Sequence, residues 1–373
     1  MAKVICVWVI ILLNTIHAFE FMQYHEKFED SVKSENITQV PLKKTENNLQ
    51  LIPSRFEFER AKSNLAELIE NSRVGRDLKL IAGTVRLAFH DCVGEENCDG
   101  CIEYTNPDNA GLDKITRSID TLYDLVHKNK ISRADFYALA AVVALTRSTA
   151  DVKDKYQGLK KFKVGRKDCS KSPKEDKPTV LPKALAGFKE TFNFFQKEFK
   201  FSVKDTVALL GAHTLGGCSS KNSGFQGVWD NDIFNKLQKG NDKLASTSVL
   251  DNSYYDMFIR IVPWIQVNLT NGNTQWQEIF FPVANDKIKN IKNQHPILLN
   301  SDLALSWEIE PVDKAGTSSC SLHPEITCKH SAGHKYAQAF FQNNTLWLQT
   351  FTDVFNRMIE KNPYKLKEAS KLK

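Results

Sequence analysis

The sequence predicts a mainly α-helical protein. After Arg55, apolar residues recur at three- and four-residue spacing through most of the chain, which is the pattern of amphipathic helices. No convincing βαβ alternation and no internal repeat accompanies that pattern. With 373 residues, 42% hydrophobic and 25% charged, the chain has the composition of a globular protein and can bury a large core.

Seven helical segments are expected in chain order. Five of them show a clear apolar face and cover residues 55–71, 76–91, 110–128, 132–148 and 181–199. The sixth is SVKDTVALLGAHTLGG, in which Ser202 is a plausible N-cap and Asp205 its capping-box partner. A last long helix is predicted from about Lys335 to Glu360.

The N-terminal region is expected to precede the folded domain. Residues 1–18 carry one lysine and then an apolar run ending at Ala18, as in a signal peptide, with an uncleaved anchor as the alternative. Residues 19–53 are polar and lack periodicity, which predicts a flexible leader. No later stretch is apolar enough to cross a bilayer. We therefore expect a secreted, extracellular protein with no stable membrane insertion after signal cleavage.

Cysteines and glycosylation sequons agree with that expectation. Without the signal peptide seven cysteines remain, of which most should pair in an oxidising compartment and at least one should stay unpaired or join another chain. Sequons at Asn36, Asn268 and Asn343 predict a glycoprotein. The net charge of +6 is diffuse, and no basic patch interleaved with aromatic residues predicts nucleic-acid binding.

The segment RLAFHDC contains a candidate acid–base pair. Arg86 and His90 are four residues apart, so a helix places both on one face. The alternative is a surface helix on which the charge of Arg86 has no functional role. Convergence of a guanidinium and an imidazole on one point favours a preorganised acid–base site.

A second histidine lies in GAHTLGG, near the end of the sixth helix. Small residues surround His213, namely Gly211, Ala212, Gly216 and Gly217, and would let a flat, bulky group approach the backbone. A buried histidine bonded to a neighbour is the alternative for such a residue taken alone. Together with the Arg86–His90 segment, the pattern favours a haem whose iron His213 binds, with Gly211 and Ala212 beside it.

Six ordered motifs resemble the haem peroxidases that include plant secretory, fungal lignin, ascorbate and cytochrome c peroxidases. They are RLAFHDC, EYTNPDNAGLD, SRADFYALAAVVAL, GAHTLGG, NSGFQGVW and LDNSYY. Phe89 and Cys92 resemble the secretory branches, whereas Trp229, sixteen residues after His213, resembles the ascorbate and cytochrome c branch.

The resemblance implies a two-lobed helical fold with haem b between a distal and a proximal helix. The peroxidase domain would cover residues 54–363, with a distal lobe at about 54–180 and a proximal lobe at about 181–363. A basic tail would follow at 364–373. The likeness weakens at about 231–248 and 308–332, which we interpret as insertions.

The resemblance also assigns roles to side chains. His90 would move the proton of bound peroxide, Arg86 would stabilise the charge that develops, and Phe89 lies between them in the motif. Asn109 would fix the tautomer of His90, and Glu103 would complete that network. On the proximal side, Asp302 in LNSDLAL would accept a hydrogen bond from His213; an ordinary helix cap is the alternative for it.

Trp229 would lie beside the proximal histidine, where this branch can relay an electron or host a radical. A nearby cation would disfavour the oxidised indole. The resemblance places such a cation at Thr214 and Asp251, together with Asp230.

A distal calcium is a further expectation, because Asp91 and Asp99 match the acidic ligands of the secretory branches. Those branches carry a serine where this chain has Cys101, and a thiol is a poor calcium ligand. A Cys92–Cys98 disulfide follows from the secretory resemblance, and pairs 101–169 and 320–328 complete the set as guesses.

A rival metal site is the cluster Cys320, His323, Cys328, His330 and His334, whose residue types suit zinc. The spacing matches no familiar zinc module, and a surface loop closed by a disulfide is the preferred interpretation.

The resemblance leaves the electron donor open. In ascorbate peroxidases an arginine seven residues before the proximal tryptophan helps to hold ascorbate, and here that position is Asn222. We therefore expect a peroxidase that reduces hydrogen peroxide and oxidises a small phenol in preference to ascorbate, in extracellular oxidation or the response to oxidative stress. The alternative from another class is a haem-binding or extracellular matrix protein with little turnover.

Overall fold

Helices make up most of the residues that the structure describes, as the sequence predicts. A computed structural model describes residues 50–74, 79–94, 98–149, 153–169, 180–229, 248–259, 263–278, 296–320, 323–361 and 364–373. The predicted signal peptide and the leader up to residue 49 lie outside these residues. None of the described helices is long and apolar enough to span a membrane.

The helices and strands of the described residues follow in chain order. The helices are α1 Arg55–Val74, α2 Lys79–Cys92, α3 Leu112–Leu122, α4 Arg133–Ser148, α5 Phe188–Phe199, α6 Val203–Leu210, α7 Ser220–Ser223, α8 Ser253–Ile259, α9 Asn300–Leu303, α10 Pro324–Thr327, α11 His334–Gln342 and α12 Asn344–Ile359. The strands are β1 Lys163–Val164, β2 Gly217–Cys218, β3 Gly227–Val228, β4 Trp264–Asn268, β5 Thr274–Glu278, β6 Ile297–Leu298 and β7 Lys367–Glu368.

Helix α4 is the centre of the core, because it packs against both α1 and α2. The side chain of Ser132 accepts a hydrogen bond from the backbone N–H of Asp135, which satisfies one of the free donors at the start of the helix. Nearly every side chain from Ala134 to Leu145 is buried. α2 therefore rests on a well-packed support, and its functional face is held in place.

A buried ion pair joins α4 to the segment that directly follows β1. Asp135 and Arg166 are both fully buried and 2.7 Å apart. The same carboxylate accepts hydrogen bonds from the backbone N–H groups of Gly165 and Arg166. Removing either charge alone would leave its partner buried and uncompensated.

The structure corrects two predicted helices. The helix expected over 335–360 is two helices, because Asn343 adopts an extended conformation and its side chain caps α12 by accepting from Leu346 N–H. The segment expected at 181–199 becomes regular helix only at Phe188.

A three-stranded antiparallel sheet, in the order β4-β5-β6, was not predicted. Its first two strands are joined through Asn271-Gly272, and Gly272 has the positive φ that this turn requires. An Asn-Gly pair between two alternating segments is a strong hairpin signal, so the sequence does contain the information.

Residues beyond both predicted ends of the domain belong to the same compact unit, which runs from Gln50 to Lys373. In the segment 364–373, predicted as a basic tail, β7 pairs with β1 and Lys373 O accepts from the backbone N–H of Arg55. The two predicted lobes are joined through α12, which packs against α2 of the distal lobe and α6 of the proximal lobe.

The cysteines pair as the sequence suggested. The disulfides are Cys92–Cys98, Cys101–Cys169 and Cys320–Cys328, and Cys218 is free.

Candidate active site

Arg86 and His90 meet on one face of α2, as their spacing predicts. Arg86 Nε donates to His90 Nε2 at 3.3 Å. The two terminal nitrogens of the guanidinium donate to backbone oxygens, at 2.6 Å to Asp108 and 3.0 Å to Ala110. Because all three nitrogens of the guanidinium donate hydrogen bonds, its position next to the imidazole is fixed.

The tautomer of His90 follows from its hydrogen bonds. Asn109 Nδ2 donates to the backbone oxygen of Glu103 at 2.9 Å, so Oδ1 of that amide is the acceptor. His90 Nδ1 lies 2.7 Å from this Oδ1 and therefore carries the proton. The other ring nitrogen, Nε2, is therefore unprotonated, and its lone pair points toward Arg86.

Glu103, the residue predicted to complete this network, contacts Asn109 through its backbone oxygen. One carboxylate oxygen accepts from Thr105 Oγ1 at 2.9 Å. The other, Oε2, is buried without a hydrogen-bond partner among the described residues.

Burial and the charge of Arg86 lower the pKa of His90 to about 3, against an opposing effect of the Asn109 hydrogen bond. The imidazole is therefore neutral at any pH near neutrality and can accept a proton at Nε2. Burial also lowers the pKa of Arg86, but a guanidinium remains charged.

Phe89 supports His90 from the adjacent position. Its ring meets the His90 ring edge-on at 5.7 Å and packs on Phe195 and Phe199 of α5. The aromatic contacts fix the end of α2 on which His90 lies.

His213 lies in a short 3₁₀ turn, Gly211–Thr214, that directly follows α6. Its Nδ1 lies 2.8 Å from Asp302 Oδ1; the carboxylate is fully buried, whereas 35% of the His213 side chain is exposed. Trp229 stacks on the imidazole with 4.4 Å between ring centres and 2° between planes. The predicted partners of His213 are therefore both in contact with it.

Tyr254 of α8, the first tyrosine of the motif LDNSYY, also belongs to this site, and the sequence did not predict its role. The Tyr254 hydroxyl donates to Asp302 Oδ1 at 2.8 Å. Burial and the charge of Asp302 raise the pKa of Tyr254 well above its ordinary value, so the hydroxyl keeps its proton.

These residues fit haem as a cofactor. Nδ1 of His213 is tied to a buried carboxylate, which leaves Nε2 as the ligand atom on a ring with an exposed part. Burial raises the pKa of the Cys218 thiol to about 12. A Cβ added at Gly216, three residues after His213, would meet the Ala82 side chain of α2 at 2.7 Å, so the segment that follows His213 packs on the helix that carries Arg86 and His90.

Gly211 lies at a close packing contact. A Cβ added there would meet the Tyr255 hydroxyl and the Trp347 indole nitrogen, at 2.5 and 2.6 Å. Its small size permits this helix packing, and its contact with a cofactor stays a prediction. Ala212 is partly buried beside it.

The predicted proximal cation ligands are partly brought together. Thr214 Oγ1 lies 3.3 Å from Asp251 Oδ1 and 3.0 Å from Ser253 Oγ. Asp230 lies outside the described residues. A cation at this position stays a prediction.

On the distal side, Asp91 is buried and its Oδ1 accepts from Gly100 N–H at 2.8 Å. Burial, followed by the charge of Asp99, raises the pKa of Asp91 well above its ordinary value. Cys101 is in a disulfide with Cys169, so neither sulfur is available to a metal near Asp99. Calcium at Asp91 and Asp99 stays a prediction.

The rival zinc site is contradicted. A disulfide joins Cys320 to Cys328 and removes both thiolate ligands. The rings of His330 and His334 are in contact, with 3.6 Å between centres and a 30° tilt, and the Nδ1 atom of His334 lies 2.7 Å from Ser306 Oγ.

Comparison with known proteins agrees with the helical fold. A model of the peroxidase family matches residues 61–311, more than half of the chain. The chain therefore belongs to the peroxidase family, within the plant and fungal haem peroxidase superfamily.

Similar proteins can be named individually. L-ascorbate peroxidase 2, cytosolic, of Oryza sativa subsp. japonica is 36% identical over 145 residues, 37% of this chain and 53% of that protein. The probable L-ascorbate peroxidase 3, peroxisomal, of the same organism is 34% identical over 201 residues, 47% of this chain and 64% of that protein. Mitochondrial cytochrome c peroxidase of Candida albicans is 34% identical over 127 residues, 34% of this chain and 32% of that protein.

The chain thus spans about half the length of the curated relatives that it matches first. These relatives are cytosolic, peroxisomal and mitochondrial proteins, which contradicts the secreted localisation expected from residues 1–18. The prediction of secretion is therefore wrong, because a short apolar N-terminal run does not by itself establish export.

Proposed function

We propose that this protein is a haem-dependent peroxidase that reduces hydrogen peroxide to water and oxidises a donor by one electron at a time. The observation that carries the proposal is the 3.3 Å contact between Arg86 Nε and His90 Nε2, on an imidazole held neutral by its surroundings. A neutral base beside a permanent cation suits the removal of a proton from peroxide.

The residues divide the chemistry between them. Haem b, when bound, supplies a redox-active iron at which peroxide is reduced. His213 Nε2 would hold that iron, with Asp302 orienting the ring through Nδ1. His90 Nε2 accepts a proton from peroxide and returns it to the departing oxygen, while Asn109 keeps Nδ1 protonated. Arg86 stabilises the negative charge on the departing oxygen.

For the donor, a small phenol is proposed in preference to ascorbate. Several relatives are named ascorbate peroxidases, but Asn222 occupies the position of their ascorbate-holding arginine. Asn222 is exposed on α7, and its amide lies against Gly111 at the start of α3. A neutral amide offers no charge to an anionic donor such as ascorbate.

A haem-binding protein with little turnover is the second candidate, supported by the His213–Asp302 pair alone. Binding haem would need neither Arg86 nor the His90–Asn109 hydrogen bond, and both are intact.

An absorption spectrum of the haem-loaded protein before and after hydrogen peroxide distinguishes the two. A Soret band that shifts and then returns on addition of guaiacol supports the peroxidase. A band that does not respond supports the haem binder, and a protein that takes up no haem refutes both.

A further inference from the structure

Two side-chain donors share one oxygen of the proximal carboxylate. His213 Nδ1 and the Tyr254 hydroxyl each lie 2.8 Å from Asp302 Oδ1. Both Tyr254 and Asp302 are fully buried, so water does not replace either contact. The second oxygen, Oδ2, is also engaged, because it accepts from the backbone N–H of Leu299 at 2.9 Å. The carboxylate therefore cannot rotate to give each donor an oxygen of its own.

Sharing an acceptor weakens each bond to it. A carboxylate oxygen that already receives an O–H donor carries less charge for a second donor. His213 consequently gives up less of its Nδ1 proton to Asp302 than it would to an unshared carboxylate. The more complete that transfer, the more anionic the imidazole becomes, and an anionic ligand stabilises oxidised iron over reduced iron.

We propose that Tyr254 is a positioning residue that moderates the electron donation of His213 and so raises the reduction potential of the bound haem. This inference rests on the proposed function. The buried hydroxyl of Tyr254 would act on His213 through Asp302. Tyr254 itself is assigned no contact with peroxide or with the donor.

Tyr255 is a matched control within the same helix. It is equally buried and aromatic, but its hydroxyl donates to the backbone oxygen of Val207 at 2.8 Å. Loss of that hydroxyl removes a buried hydrogen bond as Tyr254→Phe does, without changing the proximal carboxylate.

The experiment compares the haem reduction potentials of wild type, Tyr254→Phe and Tyr255→Phe by spectroelectrochemical titration. Tyr254→Phe should shift the ferric–ferrous equilibrium about threefold to tenfold toward the ferric form, which is about 30 to 60 mV more negative for one electron. The iron–histidine stretching frequency in resonance Raman spectra should rise in the same variant. Tyr255→Phe should leave both quantities at the wild-type value.

A second substitution covers the case in which Tyr254→Phe does not fold. Site-specific incorporation of 3-fluorotyrosine at position 254 keeps the ring and makes the hydroxyl a stronger donor. The potential should then move in the opposite direction, to a more positive value.

Equal potentials in the two phenylalanine variants, a positive shift in Tyr254→Phe, or a negative shift with 3-fluorotyrosine would overturn the inference. The proposed function is judged separately on the wild type. If wild type takes up no haem, both fail. If it binds haem and responds to peroxide but the potentials are unchanged, only the role of Tyr254 is refuted.

Discussion

Burial of His90 and the neighbouring charge of Arg86 should together set the acid limit of the reaction with peroxide. His90 acts as a base only when it is neutral, and its pKa is about 3 instead of the ordinary 6.5. Lowering the pH protonates the base, so a lower pKa moves the loss of rate to a lower pH. We expect the rate of wild type with peroxide to be flat from about pH 8 to about pH 4 and to fall below that range.

The magnitude follows from the two pKa values. At pH 5 an imidazole with the ordinary pKa would be neutral in about 3% of molecules, and one with a pKa near 3 in about 99%. The lowered pKa therefore makes neutral His90 about 30-fold more abundant at pH 5 than it would be with the ordinary pKa. Burial is the first cause of the shift and Arg86 the second, so Arg86→Gln should raise the pKa of His90 and leave it below 6.5.

The assay is stopped-flow absorbance after mixing haem-loaded protein with peroxide, from pH 3.5 to pH 8, with each variant normalised to its own plateau. Loss of the Arg86 charge also lowers the plateau rate, because the charge that develops on the departing oxygen is no longer stabilised. Normalisation removes this effect and leaves the change in the pKa of His90. Arg86→Lys is the matched control, because it keeps the positive charge and should keep the wild-type acid limit. If Arg86→Gln loses rate at the same pH as wild type, the electrostatic reasoning is refuted.

Three further results are expected. His90→Ala should slow the reaction with peroxide about 10²–10⁴-fold and Arg86→Ala about 10²–10³-fold, with haem still bound. The double variant should lose less than the product of these factors, because both groups act on one transition state; full multiplication of the two losses in stopped-flow measurements would argue against a shared step. His213→Ala should lose haem or bind it weakly, and normal haem content with an unchanged spectrum would exclude His213 as the ligand. With Asn222 in place of the arginine, kcat/KM should be higher for guaiacol than for ascorbate, and a clear preference for ascorbate would contradict the proposed donor.

Short-range features of this protein could be predicted from its sequence. An α-helix places residues four apart on one face, so the convergence of Arg86 and His90 follows from their spacing alone. The capping box of Ser202 and Asp205 is equally local, and the structure contains it. For Asn109, Asp302 and Trp229, residue spacing alone was insufficient, and resemblance to known peroxidases supplied their places.

Only the tertiary structure decided which atoms of distant residues meet. Asp302 lies 89 residues from His213, and no periodicity shows that Tyr254 reaches the same carboxylate oxygen. Glu103 joins the distal network through its backbone oxygen, and because every residue has one, the residue type does not predict this contact. Likewise, the segment predicted as a basic tail pairs with β1. Such contacts arise when separate elements pack together, and packing depends on the whole core, whereas helical spacing and capping depend on a few neighbouring residues.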